Sequence, residues 1–274
     1  MTDSQWRSVQ GTLMTSEPIA AYGGITIPSE TLNNLAEQMT VGRLPFHLEH
    51  DLSKPLRIRG TRAFVVTRAD GIDELRFEAE MHEDDLPLLE LNRGMSVTMR
   101  VPLERDGAAE ERSNATLEVS ADHAWFEDDA LFETEKSLLA LGIAPETLRV
   151  ERTYQFGLVP APQIFLDVIY PLVVSLGAAA MWDGIKVLFR RRRTPSGGSA
   201  ETPSVINISV FDGDRSLQAV VTTRDEAIAQ QAFESIGPIM EEFFRSAPAS
   251  QTSGEERQPV VTWDAEALRW TAPN

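Results

Sequence analysis

Apolar and polar positions alternate most regularly at residues 74–81, where Glu-Leu-Arg-Phe-Glu-Ala-Glu-Met places every second side chain on one face. That period-two pattern is the mark of a half-buried strand. Weaker alternation predicts strands at 8–27 (two, with a loop between), 55–67, 95–103, 115–121 and 149–159, with 44–50 extended. Helical spacing appears at 30–39, where Leu32, Leu35 and Met39 share a side and Ser29 offers an N-cap. A second helix is predicted at 130–141 with Gly142 as its stop, and a short one at 84–92 before Gly94. The Asp70-Gly71 and Asp106-Gly107 pairs read as turns.

The pattern changes after Pro162. Residues 164–189 are almost uniformly apolar, with an uncharged core from Val168 to Trp182 followed by Arg190-Arg191-Arg192-Arg193. A spanning helix needs about 20 apolar residues. The stretch therefore reads either as a membrane-inserted or surface-lying helix with a positive flank, or as a helix packed inside the protein. Residues 194–204, rich in Ser, Gly and Pro, read as a linker. Beyond it, 205–211 and 217–222 flank Asp212-Gly213-Asp214 as a hairpin. A helix at 224–245 follows, with Gly237-Pro238 expected to kink or split it. A last strand at 259–270 carries Trp263 and Trp270 as anchors.

Four segments are therefore expected: 8–163, 164–193, 194–204 and 205–273. The fold class is α+β. It comprises a mainly antiparallel, barrel-like domain with short helices, a long hydrophobic helix and a small ββα(β) domain.

Composition narrows the function. The 274-residue chain carries a formal charge of -17, a surface that repels nucleic acid. It has no cysteine, which excludes disulfides, thiolate metal sites and a Cys nucleophile. Met1 to Trp6 shows no signal-peptide pattern. The four histidines include His47 and His50, and Ser96 follows Gly94-Met95 at the start of an apolar run. A serine nucleophile needs a histidine base, and that base needs an orienting partner. If 95–103 and 115–121 form an antiparallel hairpin, Ser96 falls opposite 121–122, next to Asp122 and His123. His47-x-x-His50-Asp51 with His82 or His123 is a competing metal pattern, but it lacks the glutamate of the His-Glu-x-x-His helix motif. No metal or other cofactor is expected.

An ordered set of motifs adds to this reading. Gly24-Ile25-Thr26-Ile27-Pro28 precedes a helix. Leu48-Glu49-His50-Asp51 precedes Pro55. Gly94-Met95-Ser96-Val97-Thr98-Met99 follows. Leu117-Glu118-Val119-Ser120 and Gly157-Leu158-Val159-Pro160-Ala161-Pro162 close the series, with the helix at 130–141 between them. In this order, residues 11–162 resemble the phage prohead (capsid-maturation) serine proteases, which share their fold with herpesvirus assemblin. The resemblance implies a serine endopeptidase with Ser96 as nucleophile and His50 as base. The third member is an acid or a second histidine, with Asp122 and His123 as candidates and Glu118 behind them. Arg100, Arg57 and Arg59 are candidate helpers for the oxyanion. Thr98 stands where the family has glycine.

The alternative reading is an inactive protease-like sensor or assembly module, tethered to a membrane or shell, whose C-terminal part recruits a partner. The expected partners are a protein substrate or a shell (capsid) protein, a membrane through 164–193, and further copies in a homo-oligomer, but no nucleic acid. The expected location is the cytoplasm or the inner face of a membrane.

Overall fold

The computed structural model describes residues 5–40, 56–88, 98–103, 115–155, 162–246 and 259–272. The fold is mixed α+β with two sheets. It divides into two compact units, residues 1–99 with 154–160 and residues 100–153 with 161–274.

The first unit is built on the alternation seen at 74–81. Strands β1 (Trp6–Thr15), β2 (Ile58–Thr67) and β3 (Asp73–His82) form an antiparallel sheet in the order β1-β3-β2. Leu75, Phe77, Ala79 and Met81 point to one side and are buried with Leu32, Leu35, Ala36 and Met39 of α1 (Ser29–Thr40). Apolar burial of this kind stabilises by roughly 25 cal/mol per Å². Ser29 does not act as a free cap: its hydroxyl donates to the Asp73 carboxylate, which with Thr67 holds Asp73 below the usual carboxylate range. Residues 22–27, expected as a strand, form a turn closed by a single bridge between Ile19 and Ile25. In the turn Glu83–Leu88, the fully buried Asp85 accepts from the Arg57 backbone N–H, Nε and Nη2 at 2.8, 3.0 and 3.0 Å.

The second unit carries an eight-stranded sheet in the order β11-β10-β9-β8-β7-β5-β6-β4. Its strands are β4 (Thr98–Pro102), β5 (Leu117–Asp122), β6 (Leu148–Gln155), β7 (Gln163–Ile169), β8 (Ser204–Asp212), β9 (Arg215–Thr223), β10 (Val260–Asp264) and β11 (Arg269–Thr271). Three neighbouring pairs are parallel: β5 with β6, β7 with β8, and β9 with β10. Each is joined through helix: α2 (Asp128–Ala140), then α3 (Tyr170–Leu176) with α4 (Ala178–Arg190), then α5 (Glu226–Ser246). A parallel pair needs such a crossover, because the first strand ends at the opposite end of the sheet from where the second begins.

These observations correct the barrel-like expectation; the described strand pairs remain mainly antiparallel, with the three parallel ones added. The described strands close no barrel, and β4 and β11 are open edges. The expected hairpin of 95–103 with 115–121 is not formed either. The α2 crossover returns the chain parallel to β5, so β6 occupies the place next to β5 and β4 lies beyond it. The sheet also runs through the boundary expected at 163/164: β7 pairs with β8 from Gln163 opposite Val205 to Ile169 opposite Phe211.

The long hydrophobic helix is corrected as well. Residues 163–169 are strand β7. The helical remainder bends by 94° between α3 and α4 at Gly177, whose φ of +80° suits glycine. No single helix among the described residues is long and apolar enough to cross a membrane, although the bent pair passes on combined length and composition. The apolar side of α4 (Met181, Trp182, Ile185, Leu188) is buried, with α2 on one flank and α5 on the other. A Cβ on Gly184 would lie 2.3 Å from Leu138 Cδ2, so glycine is what lets α2 approach. Trp270 pairs with Trp263 and donates from Nε1 to the Ala232 carbonyl, which holds α5 against β11. Helix α5 continues through Pro238 without the expected split.

Candidate functional site

His50 and Ser96, the expected base and nucleophile, lie outside the described residues, as does His47. Asp122 and His123 are described, and they stand at the corner where β5 turns into α2.

The corner is built by backbone hydrogen bonds. The Asp122 side chain accepts the Ala124 N–H at 2.9 Å, and its carbonyl accepts from Trp125 and Phe126 at 3.0 and 2.9 Å. Asp122 is fully buried, so this local capping sets the turn that drives Trp125 and Phe126 into the core. The His123 N–H donates to the Thr153 carbonyl at 2.8 Å and extends the parallel ladder with β6. Its Nδ1 lies 3.4 Å from Asp128 Oδ1, and Arg152 Nε lies 3.2 Å from the same oxygen. Asp128 opens α2, where the helix dipole favours a negative charge. Burial pushes the His123 imidazole below its ordinary value. Asp128 and Glu127 oppose this, while Arg193 and Arg152 reinforce it. A lowered value favours the neutral imidazole at pH 7.

The arginine run completes the corner, and it was the feature least legible beforehand. Each arginine has its own destination. Arg190 forms a bidentate pair with Glu226 of α5, and Arg191 pairs with Glu133 of α2 at 2.6 Å. Arg192 donates to the carbonyls of Ala200 and Thr202 and stacks over Trp125. Arg193 donates from its guanidinium to the His123 and Ala124 carbonyls at 2.8 Å each, from its backbone to Trp125, and pairs with Glu127 at 2.7 Å. Successive helical residues point about 100° apart, so a run at a helix end reaches several neighbours. The bond from Arg192 also ties down the 194–204 stretch that reads as a linker.

A second polar cluster was not anticipated. Strand register brings Glu118 opposite Arg149 on β6 and Asp167 on β7, while Ser120 faces Glu151 and Phe165. Arg100 of β4 reaches Asp167 at 2.5 Å and Glu118 at 3.4 Å. Arg149 reaches Glu118 at 3.0 Å and Glu151 at 3.7 Å. Along β5 the ladder position Glu118 lies between buried Leu117 and Val119. The available signal was single charges set into apolar strands, Glu118 in Leu-Glu-Val and Asp167 in Leu-Asp-Val.

The candidate oxyanion helpers have ion-pair partners instead: Arg100 in this ladder, Arg57 with Asp85 and Asp84, and Arg59 with Glu80. Of the histidines offered for a metal, His82 packs edge-on against Trp6, and its Nδ1 accepts the Asp84 N–H. Among the described residues, no group of three or more His, Asp or Glu side chains is placed to hold a metal.

Comparison with family models, with curated proteins and with solved structures returns no match. The resemblance to prohead proteases therefore rests on the motifs themselves.

Proposed function

We propose that the chain is a protein-binding assembly module built on a protease-like N-terminal part, and that it does not work as an endopeptidase. One observation carries this reading. Asp122 and His123, the residues offered to complete a relay with Ser96 and His50, are engaged in holding the β5–α2 corner. Asp122 caps the turn, and His123 is held through its carbonyl by Arg193 and faces Asp128. The Asp122 carboxylate and the His123 backbone thus hold the corner itself, which supports a structural role for the pair. The partner is a protein, either a shell component or a second copy of the chain. Burial of the apolar side of α4, against which α2 and α5 pack, supports a packed helix over a membrane tether.

A second reading is favoured by the ordered motifs around His50 and Ser96. In it, His50 takes the Ser96 proton, the serine oxygen attacks a peptide carbonyl, His50 returns the proton to the amine that departs as the C–N bond breaks, and water hydrolyses the acyl-enzyme to a carboxylic acid and free Ser96. One experiment separates the two. The full chain and Ser96→Ala are exposed to a fluorophosphonate probe and weighed intact. The module reading expects no covalent adduct on either chain. An adduct on the wild type that Ser96→Ala lacks would overturn it and establish the endopeptidase chemistry.

A further inference from the structure

Among the described residues, the charged ladder is unbalanced. It holds three carboxylates (Glu118, Glu151, Asp167) against two guanidiniums (Arg100, Arg149). The pairs are unevenly shared. Asp167 and Glu118 each have a guanidinium within 3.0 Å, whereas the nearest one to Glu151 is Arg149 Nε at 3.7 Å. Glu151 is also the most buried of the five, with its side chain 8% exposed against 21–31% for the others. Ser120, the rung opposite on β5, is buried too, yet its hydroxyl makes no hydrogen bond among the described residues. No described donor holds the ionised form of Glu151.

A carboxylate that is buried beside other carboxylates, with no hydrogen bond from a described residue, favours its protonated state. Here burial is the leading cause. Glu118 and Asp167 push in the same direction, while Arg149 and Arg100 pull back. The group sits on β6, between β5 and the edge strand β4. Local opening at a sheet edge would return it to water, where it ionises freely.

We propose that Glu151 makes the β4–β6 edge of the large sheet a pH-responsive edge, held shut by a proton on its carboxyl and eased open when that proton leaves. The sign follows from linkage. A carboxyl that binds its proton more tightly in the folded state contributes stability below its unfolded value. That contribution is lost as pH rises through the folded value. The edge is therefore firmest in mild acid and loosest in base. Glu151→Gln mimics the protonated group and holds the edge shut at every pH.

Amide hydrogen exchange of the full chain tests this, with wild type and Glu151→Gln compared at each pH so that intrinsic chemistry cancels. For peptides covering 148–153, wild type should exchange faster by on the order of tenfold near pH 8, with the ratio falling toward one near pH 5. A ratio that stays constant with pH would overturn the proposal. If Glu151→Gln fails to fold, the wild-type carboxyl is titrated by carbon-detected NMR, with its resonance assigned through Glu151→Asp. Titration above the ordinary glutamate range supports the proposal, and titration within or below that range overturns it.

Discussion

The two sheets bury their apolar faces in different company. In the first unit, β3 alternates cleanly because its outward residues are charged (Arg76, Glu78, Glu80), while Leu75, Phe77 and Met81 face α1. In the second, both faces of the central strands are largely sequestered. Ile206, Ile208 and Val210 lie on one side of β8, but Asn207 on the other is only 5% exposed and is tied to Gln218. Charge is therefore sparse in these strands. Strands with both faces buried read as continuous apolar runs, and such runs resemble helix or membrane span as much as strand. The lesson is that alternation reports how the outer face is solvated as much as it reports the strand.

Three substitutions sharpen the contrast. The largest effect is expected in the first unit, where a single buried carboxylate serves Arg57. Asp85→Ala should cost about 3 kcal/mol, because removing one partner leaves the other poorly compensated. Chemical denaturation measures it, and a loss under about 1 kcal/mol would mean that Arg57 finds water instead. Next comes the helix layer of the second unit. Gly184→Val should cost about 1–3 kcal/mol by overpacking against Leu138. Thermal unfolding reads this, and an unchanged midpoint would show that α2 moves aside freely. The smallest effect belongs to the exposed Arg190–Glu226 pair. The Arg190 hydrogen bonds hold Glu226 below its ordinary value, so the pair's stabilisation is present above the unfolded glutamate value and fades as pH falls through the folded one. Glu226→Gln should lower the midpoint slightly at neutral pH, with the difference vanishing in high salt.

Local pattern made some elements legible and long-range pairing hid others. The helix at 30–39, the strand at 74–81, the helix at 130–141 and the hairpin about Asp212-Gly213 stand where spacing and turn residues put them. Strand β7 was missed because Ile-Phe-Leu-Asp-Val-Ile runs without polar alternation into Tyr170 and Pro171, a good helix start. The parallel crossovers were missed because nothing local distinguishes a strand that pairs with its neighbour in sequence from one that waits for a helix to return. At the candidate site, Asp122 and His123 were singled out as relay candidates opposite Ser96, and they stand at the end of β5. Their partners were not singled out: Asp128 is five residues beyond His123 in the chain, but Arg193 is seventy. The destination of an arginine depends on where a helix ends in space, which spacing along the chain does not encode.

The arginine run has a consequence in time as well as in space. Its contacts close loops of very different length. Arg190 reaches 36 residues forward to Glu226, Arg192 reaches 10 forward to Thr202, and Arg193 reaches 66 back to Glu127. The short loop costs little chain entropy to close, whereas the long ones must wait until α2 and α5 are in place. Contacts that form only after the rate-limiting barrier act on unfolding rather than on folding. The backward reach of Arg193 is therefore expected to act as a latch set late in folding: Arg193→Ala should speed unfolding of the second unit and leave its folding rate nearly unchanged in stopped-flow measurements.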